Sequence, residues 1–360
     1  MNVAKFHYVI QTIRNDLKKC NLEQLFNQLR NSLANSLAQP NSSNSEQFKE
    51  FLQNFKEATD ACKSNSFTVS EYQILNEIKG TQLVGQGLYD NVLHHLSTNN
   101  LTPGDAINEL NLLSTQLTKF QTTIESIDSS FNDLEIEYDY LENNEYEIGY
   151  LVPREITDNT IKGLVHEFKS LDDLLITFKE IVSEDIASTR IRTISNSAFQ
   201  VFLESTPAVI GITIASVERI IALIKTVLET KQIYDNMKSR SMPNEVTEPM
   251  KAYIDNSISQ GIGNLAKELI QEYYQKTDQG RANELEVILK KHLNYLADRL
   301  DKGATIEVKV GTPNEDEDIE VESVNNEQLH LKVEQFKKIT YESVTSSKHI
   351  LKLQQYTDEQ

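Results

Sequence analysis

Turn-forming residues are scarce in this chain: 12 glycines and 7 prolines in 360 residues. That scarcity disfavours a fold of many short strands and favours long helices. Cysteine is scarcer still, with only Cys20 and Cys62. Two thiols in a chain this long make no disulfide framework; they read as buried or half-buried thiols of a reducing compartment. Positive charge is also short, with 35 Lys and Arg against 54 Asp and Glu, a formal net charge of −19. No run of Lys or Arg is longer than a pair. Such a balance repels phosphate backbones and anionic lipid, so nucleic acid is not an expected partner. No uncharged apolar run reaches the roughly 18 residues of a membrane span. The first residues, MNVAKFHYVIQTIRNDLKK, have no basic segment followed by an apolar run, so the expected location is the cytoplasm.

Recognisable chemical motifs are missing too. Gly85-Gln86-Gly87 lacks a third glycine and follows no strand, so it is no phosphate loop. Gly261-Ile262-Gly263 lies inside a helical pattern and suits a close helix crossing or a kink. His94 and His95 are adjacent and point to different sides of a helix. A single Glu-x-x-His, Glu327 with His330, is half of what a di-iron bundle needs. The acidic run Glu315–Asp318 lacks the ligand spacing of a calcium loop. No catalytic, metal-binding or cofactor-binding residue is therefore assigned, and no cofactor is expected.

What is present is helical periodicity. Phe6, Val9, Ile10, Ile13 and Leu17 fit one helix; Leu22, Leu25, Phe26, Leu29, Leu33 and Leu37 fit a second. Residues 39–46 read as a loop, with Ser45 capping a third helix. Further helices are expected from Ser70 and from Leu83. Thr102-Pro103-Gly104-Asp105 reads as a helix start, with a capping hydroxyl and a proline in the first turn. From there Leu110, Leu113, Leu117, Phe120, Ile124, Ile127, Phe131 and Leu134 step by three and four. This is a heptad seam. It serves either an antiparallel bundle within the chain or a coiled coil between copies, and it is the candidate interaction surface. Its flanks hold few Glu/Lys pairs, which weakens the coiled-coil case.

Near Asn143 the period changes to two. Tyr146, Ile148, Tyr150 and Val152 share one face of a strand that stops at Pro153. Residues 190–195 and 198–204 read as extended, with Asn196-Ser197 between them. Ala304 to Val310 alternates, and Ile319 with Val321 suggests a partner strand beyond the turn at 311–318. A helix over about 245–276 is expected to be regular only from Pro249. Gln279-Gly280 marks a break, and Gly303 stops the helix that follows. The tail from Asn325 fits helix or strand.

The most apolar stretch is Thr206–Lys238, TPAVIGITIASVERIIALIKTVLETKQIYDNMK. Thr206 can cap it and Pro207 fits its first turn. Its apolar residues wrap the circumference, which means burial in protein or placement in lipid. Glu218 and Arg219 decide between these. At a bilayer centre each would cost roughly 2.5–3.5 kcal/mol, so a buried core helix is expected and no resident membrane span. Insertion on contact with a membrane stays open. The charged or polar residues that punctuate the apolar helices, Glu218, Arg219, Arg281, Asn283, Glu284, Asp298 and Arg299, are the candidate polar cluster. Salt bridges and caps between packed helices are the plainer account of them.

Four runs also form a recognisable set: EIGYLVPR (Glu147–Arg154), RTISNS (Arg192–Ser197), VERIIALIK (Val217–Lys225), and RANEL with LADRLDKGATIEV (Arg281 to Val308). The set resembles a widespread, uncharacterised type of bacterial protein over roughly Asn99 to Val310. The resemblance implies a bacterial, cytoplasmic origin and an independent C-terminal module, and it brings no activity, ligand or catalytic residue.

The expected fold is mainly α. A helical bundle with a long heptad helix (1–142) precedes an α+β module of long helices and a small antiparallel sheet (143–324, around helix 206–238), then a partly ordered tail (325–360). The expected function is a non-enzymatic scaffold or protein-interaction protein, working through a protein partner or self-association of its helices, within a bacterial multi-component defence or conflict system. The alternatives are an α-helical membrane-permeabilising protein and an enzyme with an unrecognised site.

Overall fold

The computed structural model describes residues 2–99, 102–186, 188–195, 199–240, 242–311 and 324–341. These form eleven α-helices and one four-stranded antiparallel sheet, a mainly α fold with an α+β part. The chain divides into two compact units, residues 1–140 and 141–360.

The first unit is all helical: α1 (Val3–Lys19), α2 (Leu22–Ala38), α3 (Ser42–Asp60), α4 (Val69–Glu77), α5 (Gly85–Thr98) and α6 (Pro103–Asp133). Local chemistry fixes the starts. The Asn2 side chain accepts hydrogen bonds from the Ala4 and Lys5 N–H groups, and Thr68 with Glu71 closes a capping box on α4. Asn41, not Ser45, caps α3, accepting from the Asn44 N–H at 2.7 Å, so most of the expected loop is helix. Asparagine at this position does what serine would have done four residues on. Thr102 stands at the start of α6, but its hydroxyl makes no capping bond there.

On α6 the seam faces inward. Leu110, Leu113, Leu117 and Ile124 are buried, and Phe120, Ile127 and Phe131 are half-buried against the same core. They pack on α1, α2 and α5 of the same unit. Leu134 falls past the end of the helix and is exposed.

The second unit holds the sheet, in the order β2 (Ile191–Ser195), β3 (Phe199–Glu204), β1 (Tyr146–Val152), β4 (Thr305–Val310). The strand at Ala304–Val310 thus pairs with β1, Ile148 lying opposite Val308 and Tyr150 opposite Ile306. Residues 196–198 and the expected partner at Ile319 and Val321 lie outside the described residues. Ile148, Tyr150, Val152, Val201, Leu203, Ile306 and Val308 point from one face into the core. The helices are α7 (Ile161–Ile181), α8 (Pro207–Ser239), α9 (Asn244–Tyr273), α10 (Gln279–Asp301) and α11 (Val324–Tyr341). The start of the ambiguous tail is therefore helix, and Val333 and Phe336 are buried in the core.

Of two expectations about breaks, one fails and one shifts, each for a local reason: the break between α9 and α10 is present, but it lies just before Gln279. α9 begins at Asn244, with Pro249 inside it; its first turns tolerate the missing bond because one side faces water. Asp278 caps α10 by accepting from the Arg281 N–H at 3.0 Å, so Gly280 lies inside the helix. Gly303, at φ +90°, does end α10.

If the seam is a core element of its own unit, Leu117→Ala should cost about 2–5 kcal/mol in urea unfolding. Leu134→Ala should cost no more than about 0.5 kcal/mol.

Candidate functional site

α8 and α9 are antiparallel neighbours with two different halves. From Ile212 to Val217 every residue of α8 is buried, which at this spacing covers the full circumference. Thr206 caps the helix, accepting from the Val209 N–H and donating to the Glu184 carboxylate at 2.6 Å. Beyond Val227 on α8, and before Ile258 on α9, Thr247 is the one buried residue among those described. The two distal halves make a helical arm of about 12–14 residues a side, on the order of 20 Å long. At its base Gly261 lets the helices close. A Cβ there would stand 2.6 Å from the Leu223 side chain.

One face of the arm carries a groove of 240 Å³, lined among others by Thr226, Thr230, Tyr253, Ser257 and Gln260. Thr226 and Thr230 continue at helical spacing to Ile233; Tyr253 continues back seven residues to Val246. Ile233, Val246 and Tyr253 are all exposed. The groove and these three side chains therefore share a face.

The residues of the candidate polar cluster separate into distinct ion-pair sites. Arg219 joins α8 to α9 through Glu272 at 2.5 Å and Glu268 at 3.8 Å. Glu218 is half-buried, and burial pushes its carboxyl up. Arg281 reaches Glu180 of α7 at 2.6 Å and pairs with Glu284 of its own helix at 2.7 Å. Asn283 accepts from Gln279 at 3.3 Å. Asp298 and Arg299 pair with each other, and Lys302 joins Asp298 at 2.8 Å.

Arg299 leads to a group that sequence alone does not show. Its guanidinium forms a fork on Glu167 of α7, with Nε 2.9 Å from Oε1 and Nη2 2.7 Å from the same oxygen. Glu167 is 2% exposed. Its other oxygen accepts from the Tyr295 hydroxyl and from Tyr150 of β1 at 3.3 Å. The guanidinium also lies 4.4 Å from the centre of the Tyr295 ring. Burial pushes both phenols up, so each keeps its proton and donates. This network ties β1, α7 and α10 together. Glu167 sits at an ordinary helical position in the sequence, and nothing around it signals burial.

A cavity of 610 Å³ lies by the first turn of α8, with Pro207, Gly211, Tyr273, Leu329 and Lys332 among its walls. The Tyr273 hydroxyl donates to the Gly211 carbonyl at 3.4 Å, and burial pushes its pKa up to about 12. Of the Glu327–His330 pair, the Glu327 side chain lies outside the described residues, as does the run Glu315–Asp318.

In the first unit, Asp16, Cys20 and Cys62 meet, with a carboxylate oxygen and both sulfurs within 4.8 Å of one another. The sequence separation of the cysteines matches no metal or redox spacing, so folding alone reveals this group. His7 is buried, its Nδ1 2.6 Å from the Ile136 carbonyl, a structural role.

Two outcomes test these polar sites. Arg299→Leu strands the buried Glu167 carboxylate and should cost about 3–5 kcal/mol in urea unfolding. The Arg281 hydrogen bonds hold Glu180 below the ordinary carboxylate range. A depressed folded-state pKa adds stability above the unfolded pKa of about 4.3, and that stability is lost as pH falls through the folded value. The stability gap between wild type and Glu180→Gln should therefore be widest near neutrality and close on acidification below about pH 4.

A scan against family models finds none that matches the chain, and searches of the curated proteins and of the solved structures find no match either.

Proposed function

We propose that this protein is a scaffold whose docking element is the α8–α9 arm, and that the arm takes the arm of a second copy. The observation that carries this is the shared exposed face of Ile233, Val246 and Tyr253 beside the groove. A two-helix hairpin buries a single seam, and two such hairpins facing each other complete a four-helix bundle. Charge supports the choice of occupant. Residues 228–257 hold four basic and five acidic side chains, one net negative charge in a chain of −19. Two arms therefore meet without the repulsion that the remaining surface would impose. The cytoplasm is the setting that the composition fits.

Light scattering on the eluting protein tests this. A dimer at micromolar concentration that becomes monomeric in Ile233→Asp and Tyr253→Asp, with helicity unchanged, is the expected result. A monomer at every concentration refutes the second copy as occupant.

A second reading, membrane permeabilisation, draws on α8 itself. Among the described residues it is the one helix long and apolar enough to cross a membrane by length and composition. Dye release from liposomes that is abolished by Ile214→Asp would favour it over the scaffold. The scaffold reading expects no release at neutral or acidic pH.

A further inference from the structure

We infer that Asp16, Cys20 and Cys62 form a binding site for a thiophilic divalent cation, zinc first among them, through one carboxylate oxygen and two sulfurs. Asp16 and Cys20 are four residues apart at the end of α1 and so share a helix face. Cys62 arrives from the turn after α3. Zinc bonds of about 2.3 Å to sulfur and about 2.1 Å to oxygen put tetrahedral ligand atoms about 3.6–3.8 Å apart. The three atoms here already lie within 4.8 Å of one another.

Second, the carboxylate is held by outer partners, as metal ligands are. The Lys63 and Ser64 N–H groups donate to the two Asp16 oxygens at 2.9 and 2.8 Å, which fixes the carboxylate and leaves each oxygen a lone pair.

The site is also enclosed: Asp16 is 4% exposed and Cys62 3%. When the cation binds it displaces one proton from each thiol, two protons leave to solvent, and two metal–sulfur bonds and one metal–oxygen bond form. Cys20 is only half-buried, which gives the ion an entry path and a water the fourth position.

The test uses the full chain, reduced with a phosphine and stripped by chelator, then titrated with Co²⁺. One Co²⁺ per chain with a sulfur-to-cobalt charge-transfer band, displaced by one Zn²⁺, is expected. Affinity should fall in Cys20→Ser and in Cys62→Ser by more than the roughly 10–100-fold typical of losing an outer partner. Because either variant can misfold, alkylation of wild-type Cys20 is the second measurement, and Zn²⁺ should slow it at least about tenfold. No charge-transfer band in the wild type, a band that survives in both variants, or alkylation indifferent to Zn²⁺ would each overturn the site.

Discussion

The second unit is built to enclose one stretch of α8, Ile212 to Val217, on every side. These six consecutive residues are all buried, so walls are needed all round. β1, β4, α7, α9, α10 and α11 supply them. Each large apolar side chain so enclosed contributes about 1.5–3 kcal/mol. The two polar side chains within the run cause no loss, since Thr213 and Ser216 donate to carbonyls one turn back at 2.7 Å. The charges begin at Glu218 and Arg219, where the enclosure opens and Arg219 finds acids on α9.

The same enclosure explains why the helix has two halves. A core of this size does not extend along 33 residues of helix, so the remainder stands out and, among the described residues, is covered by α9. The fold thereby turns one apolar helix into a rigid anchor and a projecting arm. The Glu167 network plays a related part. It fastens the helices around the sheet with a bidentate pair and two phenol hydrogen bonds, a geometry that admits one arrangement of β1, α7 and α10.

Much of this architecture is legible in the residues. Period two marks Tyr146–Val152 and Thr305–Val310, and period 3.6 marks the helices, because each buried face repeats at the backbone's own interval. Thr206, Pro207 and Gly303 announce ends by backbone requirements that few other residues meet. Gly261 signals a close approach, and Leu223 fills it. Failures occur where two residues can do one job, as with Asn41 and Ser45, or where tertiary setting overrides propensity, as with Pro249. Sites are less legible than elements. Arg281, Asp298 and Arg299 stand out as charges on apolar helices, but their partners Glu180 and Glu167 look like any surface acid. Cys20 and Cys62 meet only because α1 and the end of α3 are brought together, and sequence spacing carries no trace of that. The two faces of the arm could not be told apart without knowing where the core ends.

The division of α8 into anchor and arm is what the account depends on most. Amide hydrogen exchange on the intact chain measures it directly. Amides from Val209 to Ile224 should open only with global unfolding, while those from Thr230 to Ser239 and from Val246 to Tyr253 exchange orders of magnitude sooner. Equal protection along the whole of α8, or faster exchange in Ile212–Val217 than in the arm, would contradict it.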